Sequence, residues 1–566
     1  MRRSPARTTG RAFPVSPFGT IGTVQWMDTI VDRSVSIRNQ DCDPPMNLLR
    51  TKSIEQSIAD ADEPGRKLKR SLSTWDLMIM GVAVAVGAGI FSVGAKAAAN
   101  FSGPAVTLSF AIAAVTCALA IMCYAEFATA IPVAGSAYVF TYATMGELLA
   151  WIIGWNLILE LFTAAAVIAK YWGIYLSKVF ALMGADIPPA ISLGGVDLYW
   201  GAFLIVAVFT VLLVLGTKLS ARVGNIFTLI KIAVVLFVIV VGFTYVKFEN
   251  YTPFIPAAEP TGGAGAADVL KQSFFGFLTG AAPAQYGTLG IFAGAALVFF
   301  AFIGFDVVAT SAEEVKNPQK TLPRGIFGGL AVVTLLYILV SLALTGMVSY
   351  TQLAEAESPT LTTAFEAVGD TSAAKVIAFG SLVGLTTVIM VLLMGLSRVV
   401  LAMSRDGLLP RALSKTSDKR STPVRLQIIC GAAVALVAGL TNVDLLEEMI
   451  NIGTLSAFVV VSLGILVLRK KRPDLKPAFR VPFGKVLPIV SALLCLYLMT
   501  NLAVETWIFF AIWLVIGLAI YFSYGQRHSR LNERFGDAST AVNGTPVAAG
   551  ASAVAAEDDE DALSRT

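Results

Sequence analysis

Twelve stretches of apolar residues run through the chain, near 75–99, 104–131, 148–178, 198–217, 223–246, 290–312, 325–348, 376–403, 424–441, 447–468, 486–504 and 507–524. Each is long enough to cross the hydrocarbon layer of a bilayer as a helix, which takes about 20 residues. Only 14% of the 566 residues are charged, against about 25% in a soluble domain. A chain of this kind is an integral membrane protein, and in lipid every backbone polar group must be satisfied within the protein. An all-α fold of twelve transmembrane helices is therefore expected. The run at 148–178 is long enough to tilt or to extend beyond the bilayer, and the last two runs form a tight hairpin near Glu505.

The basic residues set the expected orientation. Alternate loops carry Lys218 and Arg222; Lys316, Lys320 and Arg324; Arg405, Arg411, Lys415, Lys419, Arg420 and Arg425; then a cluster from Arg469 to Lys485. The other connections hold almost none: Lys271 lies in the longest, and Lys178, Lys247 and Lys375 stand at helix ends. This puts both termini in the cytoplasm of a multi-pass protein. Residues 1–73 read as a largely disordered cytoplasmic segment, 74–525 as the membrane domain and 526–566 as a disordered tail. Met46 is a candidate start, which N-terminal sequencing would settle. Two long outer loops, near 248–289 and 349–374, each contain a candidate surface helix, VLKQSFFGFLTG and SPTLTTAFEAVG.

Inside the first run stands Val86-Gly87-Ala88-Gly89-Ile90-Phe91. Glycine in a helix interior costs about 0.5–1 kcal/mol relative to alanine. The pair can mark close packing of an unbroken helix, or a break at mid-membrane. A break exposes free amides on one half and free carbonyls on the other, a site for a molecule carrying a carboxylate and an ammonium. The sixth run offers a second candidate: Gly304 interrupts Phe299, Phe300, Phe302 and Phe305, and Asp306 follows. Two inverted five-helix repeats would bring such breaks face to face, although no clear internal sequence similarity supports a repeat.

Charges at depth cost about 2.5–3.5 kcal/mol on insertion scales and point to function by default. Lys231 lies near the middle of helix 5 and Glu160 near the middle of helix 3; Asp306 is in the inner half of helix 6. Glu126 and Arg398, near inner helix ends, read as interfacial residues or members of structural ion pairs. Removal from water favours the neutral form of an amine, so a buried Lys231 can gain and lose a proton. With His528 as the one histidine, in the polar tail, no histidine-based catalytic or metal site is available in the membrane. The five cysteines show no metal or disulfide spacing.

VGAGIF in helix 1, YAEFATAIPVAGSAYVF after helix 2, GWNLILE in helix 3, FAFIGFDVVATSAEEVKNPQKTLPRGI in helix 6 and AMSRDGLLP after helix 8 resemble the cationic amino acid transporter family. That family is part of the amino acid–polyamine–organocation superfamily. The resemblance covers about residues 46–525 and is strongest in helix 6. It implies a LeuT-like fold, two inverted five-helix repeats plus two C-terminal helices, with helices 1 and 6 broken and with alternating access. It further implies that the amides of Ala88, Gly89 and Ile90 receive a substrate carboxylate. The carbonyls of Ala85 and Val86, with Phe300, Ala301 and Ile303, would receive the α-ammonium. Phe302 would be an aromatic wall or gate, and Glu160 would stand near the pocket. Lys231 matches a helix 5 lysine of proton-coupled relatives, which replaces a structural sodium ion.

The expected function is secondary active transport of cationic or neutral L-amino acids across the plasma membrane. The coupling ion is expected to be a proton, shared between Lys231 and either Asp306 or Glu160, with no sodium, metal or other cofactor. The partners are the amino acid and the lipid bilayer, with no nucleic acid. An exchanger or uncoupled facilitator is the alternative within transport, with Lys231 bracing helix 1 against helix 8. A nutrient sensor would use the disordered ends, and an enzyme finds no nucleophile–base spacing. The residues Thr386, Thr387 and Met390 are expected near the side-chain pocket.

Overall fold

The computed structural model describes residues 72–531 except 132–135, 194–195, 216–220, 261–265, 282–283, 306–307, 309–314, 357, 416–422, 442, 476 and 478. The N-terminal segment up to residue 71, Asp306 and the tail from residue 532 lie outside the described residues. Helices dominate the described residues, and the described strands form two short antiparallel pairs, Ile191–Leu193 with Val196–Leu198 and Glu259–Pro260 with Ala284–Gln285.

The described residues of each apolar run fall largely on helix, with interruptions in the first and the sixth. In chain order these are α1 (Thr74–Ala85), α2 (Gly94–Ala97) within a partly π-helical stretch, α3 (Val106–Ala130), α4 (Ser136–Thr144), α5 (Glu147–Leu182), α6 (Trp200–Val214) and α7 (Ala221–Thr244). Then come α8 (Gly287–Val298), α9 (Pro318–Met347), α10 (Leu361–Ala367), α11 (Thr371–Arg405), α12 (Val424–Leu440), α13 (Val443–Lys471), α14 (Val486–Thr500) and α15 (Val504–Ile520). Among the described residues, seven helices are long and apolar enough to cross a membrane. The helix α4 had no counterpart among the runs, because nine residues are too few to span. The two candidate surface helices are present, the first split into Ala266–Lys271 and Phe274–Thr279, the second as α10.

Local chemistry explains the ends of these helices. Ser73 caps α1: its hydroxyl oxygen accepts from the Asp76 amide while its own amide donates to Asp76 Oδ2 at 2.8 Å. This is the reciprocal capping box that satisfies the orphan donors of a helix start. The 36 residues of α5 span about 54 Å at 1.5 Å per residue, well beyond a bilayer core. Helix α5 packs along both α11 and α13, and α9 packs on α1 and α3.

Two of the buried charges are structural. Glu126, 1% exposed on α3, takes two bonds from Arg469 of α13 (Nε to Oε1 at 2.8 Å, Nη2 to Oε2 at 2.5 Å) and one from the Val481 amide at 2.7 Å. The two-pronged pairing suits a desolvated carboxylate. Glu147, at the first turn of α5, accepts from the hydroxyls of Tyr142, Tyr521 and Ser529. Arg398 is exposed, the interfacial member of the pair considered above.

Removing one partner of a buried ion pair leaves the other charge uncompensated, at a cost of roughly 3–5 kcal/mol. Glu126→Gln is therefore expected to lower the melting temperature of the purified protein sharply. The double change Glu126→Gln with Arg469→Met is expected to recover part of that loss, read from the same thermal unfolding curves. Full additivity of the two changes would contradict the pairing.

Candidate functional site

The helix 1 run is interrupted where its glycines stand. Helix α1 ends at Ala85, and Val86 adopts extended backbone, φ −72° and ψ 94°. Helical backbone resumes at Ala88 and continues as a π-helical turn, Gly89–Val93, before α2. In the sixth run, α8 gives way to a 3₁₀ turn at Phe299–Phe302, and Ile303 is extended at φ −66° and ψ 140°. Gly304 then takes φ +109°, a conformation open to glycine and strained for side-chain-bearing residues. The two interruptions lie against each other. A Cβ at Gly89 would overlap Ala301, and one at Gly304 would overlap Val84.

Between these breaks and two long helices lies a small pocket. Its floor is backbone: Ala85, Gly87, Ala88 and Gly89. Its walls are apolar side chains, Ala164 and Ile168 from α5, Val388 and Leu392 from α11, with Val84, Phe300 and Ile303. No carboxylate is among the described residues that line it.

The expected site residues divide accordingly. Ala85, Ala88, Gly89, Phe300 and Ile303 line the pocket. Ala88 and Gly89 begin the second half of the helix, where a helix start leaves amides without intrahelical acceptors. Several of the expected groups also have partners within the protein. The Ile90 amide is engaged by the Gly87 carbonyl at 3.3 Å. The carbonyls of Ala85 and Ala301 both take the Tyr337 hydroxyl, at 2.6 and 2.9 Å. Phe302 is not among the lining residues: its ring packs on Tyr337 with centroids 5.3 Å apart and on Phe110 at 6.5 Å, while Phe300 lines the pocket. Val86 is buried beside the break but is not among the lining residues.

Lys231 is 1% exposed and donates from Nζ to the Ala83 carbonyl at 2.8 Å, one turn before the break. Its stem packs over Gly384 of α11, where an added Cβ would meet Lys231 Cγ at 3.1 Å. The amine thus bridges helix 1 and helix 8, although at Ala83 rather than at the break itself. Glu160 is 2% exposed and lies one turn from Ala164, off the pocket lining. Its Cβ lies 3.9 Å from a Cβ placed on Gly453 of α13. The register of helix 8 is fixed by Val388 and Leu392 at the pocket, while Trp172 Nε1 donates to Thr386 at 2.9 Å.

Two groups were missed from the sequence. Tyr337, at the centre of α9, looked like one aromatic among many. Lys96 pairs with Asp444 Oδ1 and with Glu447 Oε2, both at 2.5 Å, and Tyr171 donates to the buried Glu447 at 2.6 Å. This cluster ties the second half of helix 1 to α13 at the end away from its basic terminus. Asp444 and Glu447 are three residues apart on one helix, a spacing that presents both on one face; that spacing was the available signal.

The family profile described as amino acid permease matches residues 72–524. The branched-chain amino acid permease BcaP of Bacillus subtilis (strain 168) is 42% identical over 86% of this chain and 99% of its own length. The methylthioribose transporter of the same organism is 40% identical over 86% of this chain and 100% of its own. The cationic amino acid transporter 1 of Arabidopsis thaliana is 34% identical over 75% and 67% respectively. These relatives are transporters, not enzymes. With a profile covering most of the chain and full-length relatives at this identity, the protein belongs to the amino acid permease family.

Proposed function

We propose that the protein carries neutral, apolar L-amino acids across the plasma membrane by proton-coupled symport. The observation that carries this reading is the composition of the pocket: open backbone at the two helix breaks, and apolar walls from Ala164, Ile168, Val388 and Leu392. The amides of Ala88 and Gly89 receive the carboxylate at a helix start, where the dipole favours an anion. Carbonyls at the breaks receive the ammonium. The side chain lies against the apolar walls. A cationic side chain would need a carboxylate in reach, and Glu160 is not among the residues that line the pocket. The name of the Bacillus subtilis relative BcaP agrees with a branched aliphatic side chain.

Lys231 is the proposed proton carrier. Protonated, it holds the Ala83 carbonyl and so the end of α1; neutral, it loosens that hold. Twelve helices in two inverted repeats of five plus two, both termini cytoplasmic, are the proposed architecture. The breaks in corresponding runs and the basic loops at one end support it. The Lys96 cluster then closes the outer side and parts during alternating access.

A second reading follows from the methylthioribose relative. A sugar bearing a thioether would also suit apolar walls, but it carries neither the carboxylate nor the ammonium that the breaks recognise. Uptake into proteoliposomes separates these readings. Leucine, isoleucine and valine are expected to accumulate under an inward proton gradient without sodium, and arginine and methylthioribose are not. Lys231→Ala is expected to abolish the response to the gradient. Preferred arginine uptake that Glu160→Gln removes would overturn the neutral assignment. Leucine flux of equal size with and without the gradient would make the protein an exchanger or facilitator.

The outer closure has its own test. With Ile168 replaced by cysteine in a background free of other cysteines, Lys96→Met is expected to speed labelling by an externally added, impermeant thiol reagent about tenfold, through a shift towards the outward-open population. Unchanged labelling would contradict a gating role for the ion pair.

A further inference from the structure

Tyr337 is fully buried at the middle of α9. A buried phenol requires a hydrogen-bond partner, and this one has two from separate helices. Its hydroxyl lies 2.6 Å from the carbonyl of Ala85, the last residue of α1, and 2.9 Å from the carbonyl of Ala301, inside the 3₁₀ turn of the second break. A hydroxyl has one proton to donate and a carbonyl oxygen has two lone pairs. The single proton is therefore shared between two acceptors, and each carbonyl retains capacity for another donor.

The phenol cannot swing away, because its ring is held by Phe110 and Phe302, with centroids 5.5 and 5.3 Å distant. It does not line the pocket. Helix α9 packs on α1 and α3, whereas the pocket walls come from α5 and α11. Tyr337 thus reaches the breaks from outside the pocket lining. Ala85 and Phe300, the neighbour of Ala301, both face the pocket. Whatever fixes the peptides at Ala85 and Ala301 sets the spacing of the carbonyls presented there.

We infer that Tyr337 is a positioning residue for recognition of the ammonium group: it pins the two helix breaks to one hydroxyl and so fixes the separation of the carbonyls that the ammonium must reach. This inference rests on the functional reading above. It assigns ammonium selectivity to a side chain that never touches the substrate. It also couples the breaks, since neither can shift along its axis without losing its share of the hydroxyl.

The test uses the full-length protein in lipid nanodiscs, titrated with L-leucine and with 2-hydroxy-4-methylpentanoate, which keeps the side chain and carboxylate and lacks the ammonium. Tyr337→Phe preserves the ring. It is expected to weaken leucine binding about tenfold, the scale of one charge-assisted hydrogen bond, while hydroxy-acid binding changes less than about twofold. The leucine-induced rise in melting temperature is expected to shrink more than the melting temperature of the empty protein falls. Equal losses for both ligands, or unchanged leucine affinity, would overturn the positioning role. Should Tyr337→Phe fail to fold, 3-fluorotyrosine at position 337 keeps the ring and strengthens the donor; it is expected to change the leucine to hydroxy-acid affinity ratio at least about twofold, and an unchanged ratio would overturn the inference. Wild-type protein that binds no neutral amino acid would instead refute the functional reading itself.

Discussion

An unpaired backbone group in a water-free interior costs several kcal/mol, and this chain interrupts two helices at one place. The rest of the structure is arranged around meeting that cost. Tyr337 supplies a hydroxyl to both breaks and Lys231 supplies an ammonium to the turn before the first. Gly89 and Gly304 let the two interruptions approach until backbone meets backbone or the stem of Val84. What stays open is the short stretch of amides at Ala88 and Gly89 and the carbonyl capacity around Ala85, all facing one pocket. In the proposed function, recognition of the polar part of the ligand falls to the main chain, and selection by side chain to α5 and α11.

The remaining buried charges serve to hold the surroundings. Glu126 and Arg469 fasten α3 to α13, and Glu147 gathers three hydroxyls at the start of α5. Lys96 with Asp444 and Glu447 fastens the far half of helix 1 to the opposite end of α13. Helix α13 therefore carries an ion pair near each end, and the pocket-lining helix α5 packs along it. Pairs of this kind hold well when intact and are costly when a single partner is left behind, a property suited to contacts that part and re-form together.

The apolar runs were legible as helices because hydrophobic length alone dictates a spanning helix. The positions of the breaks were legible from Gly87, Gly89 and Gly304, since glycine in such a run needs a reason. The burial of Lys231 could be read from its distance to Arg222. Rotation about a helix axis could not be read. A hydrophobic run gives no face when most of its residues are apolar, so Phe300 and Phe302 were both expected at the pocket where Phe300 alone lines it, and Thr386, Thr387 and Met390 were expected nearby without a register that would have shown Val388 and Leu392 at the lining. Partners distant in sequence were equally hidden. Tyr337 lies 252 residues from Ala85, and Lys96 lies 348 from Asp444.

The most direct test of this account is a structure of the protein with L-leucine bound in lipid nanodiscs. The ligand carboxylate should lie within hydrogen-bond distance of the Ala88 and Gly89 amides, with the isobutyl group against Ile168, Val388 and Leu392 and the Tyr337 hydroxyl still joining Ala85 to Ala301. Leucine bound elsewhere, or in this pocket with its carboxylate turned away from those amides, would contradict recognition by the helix breaks.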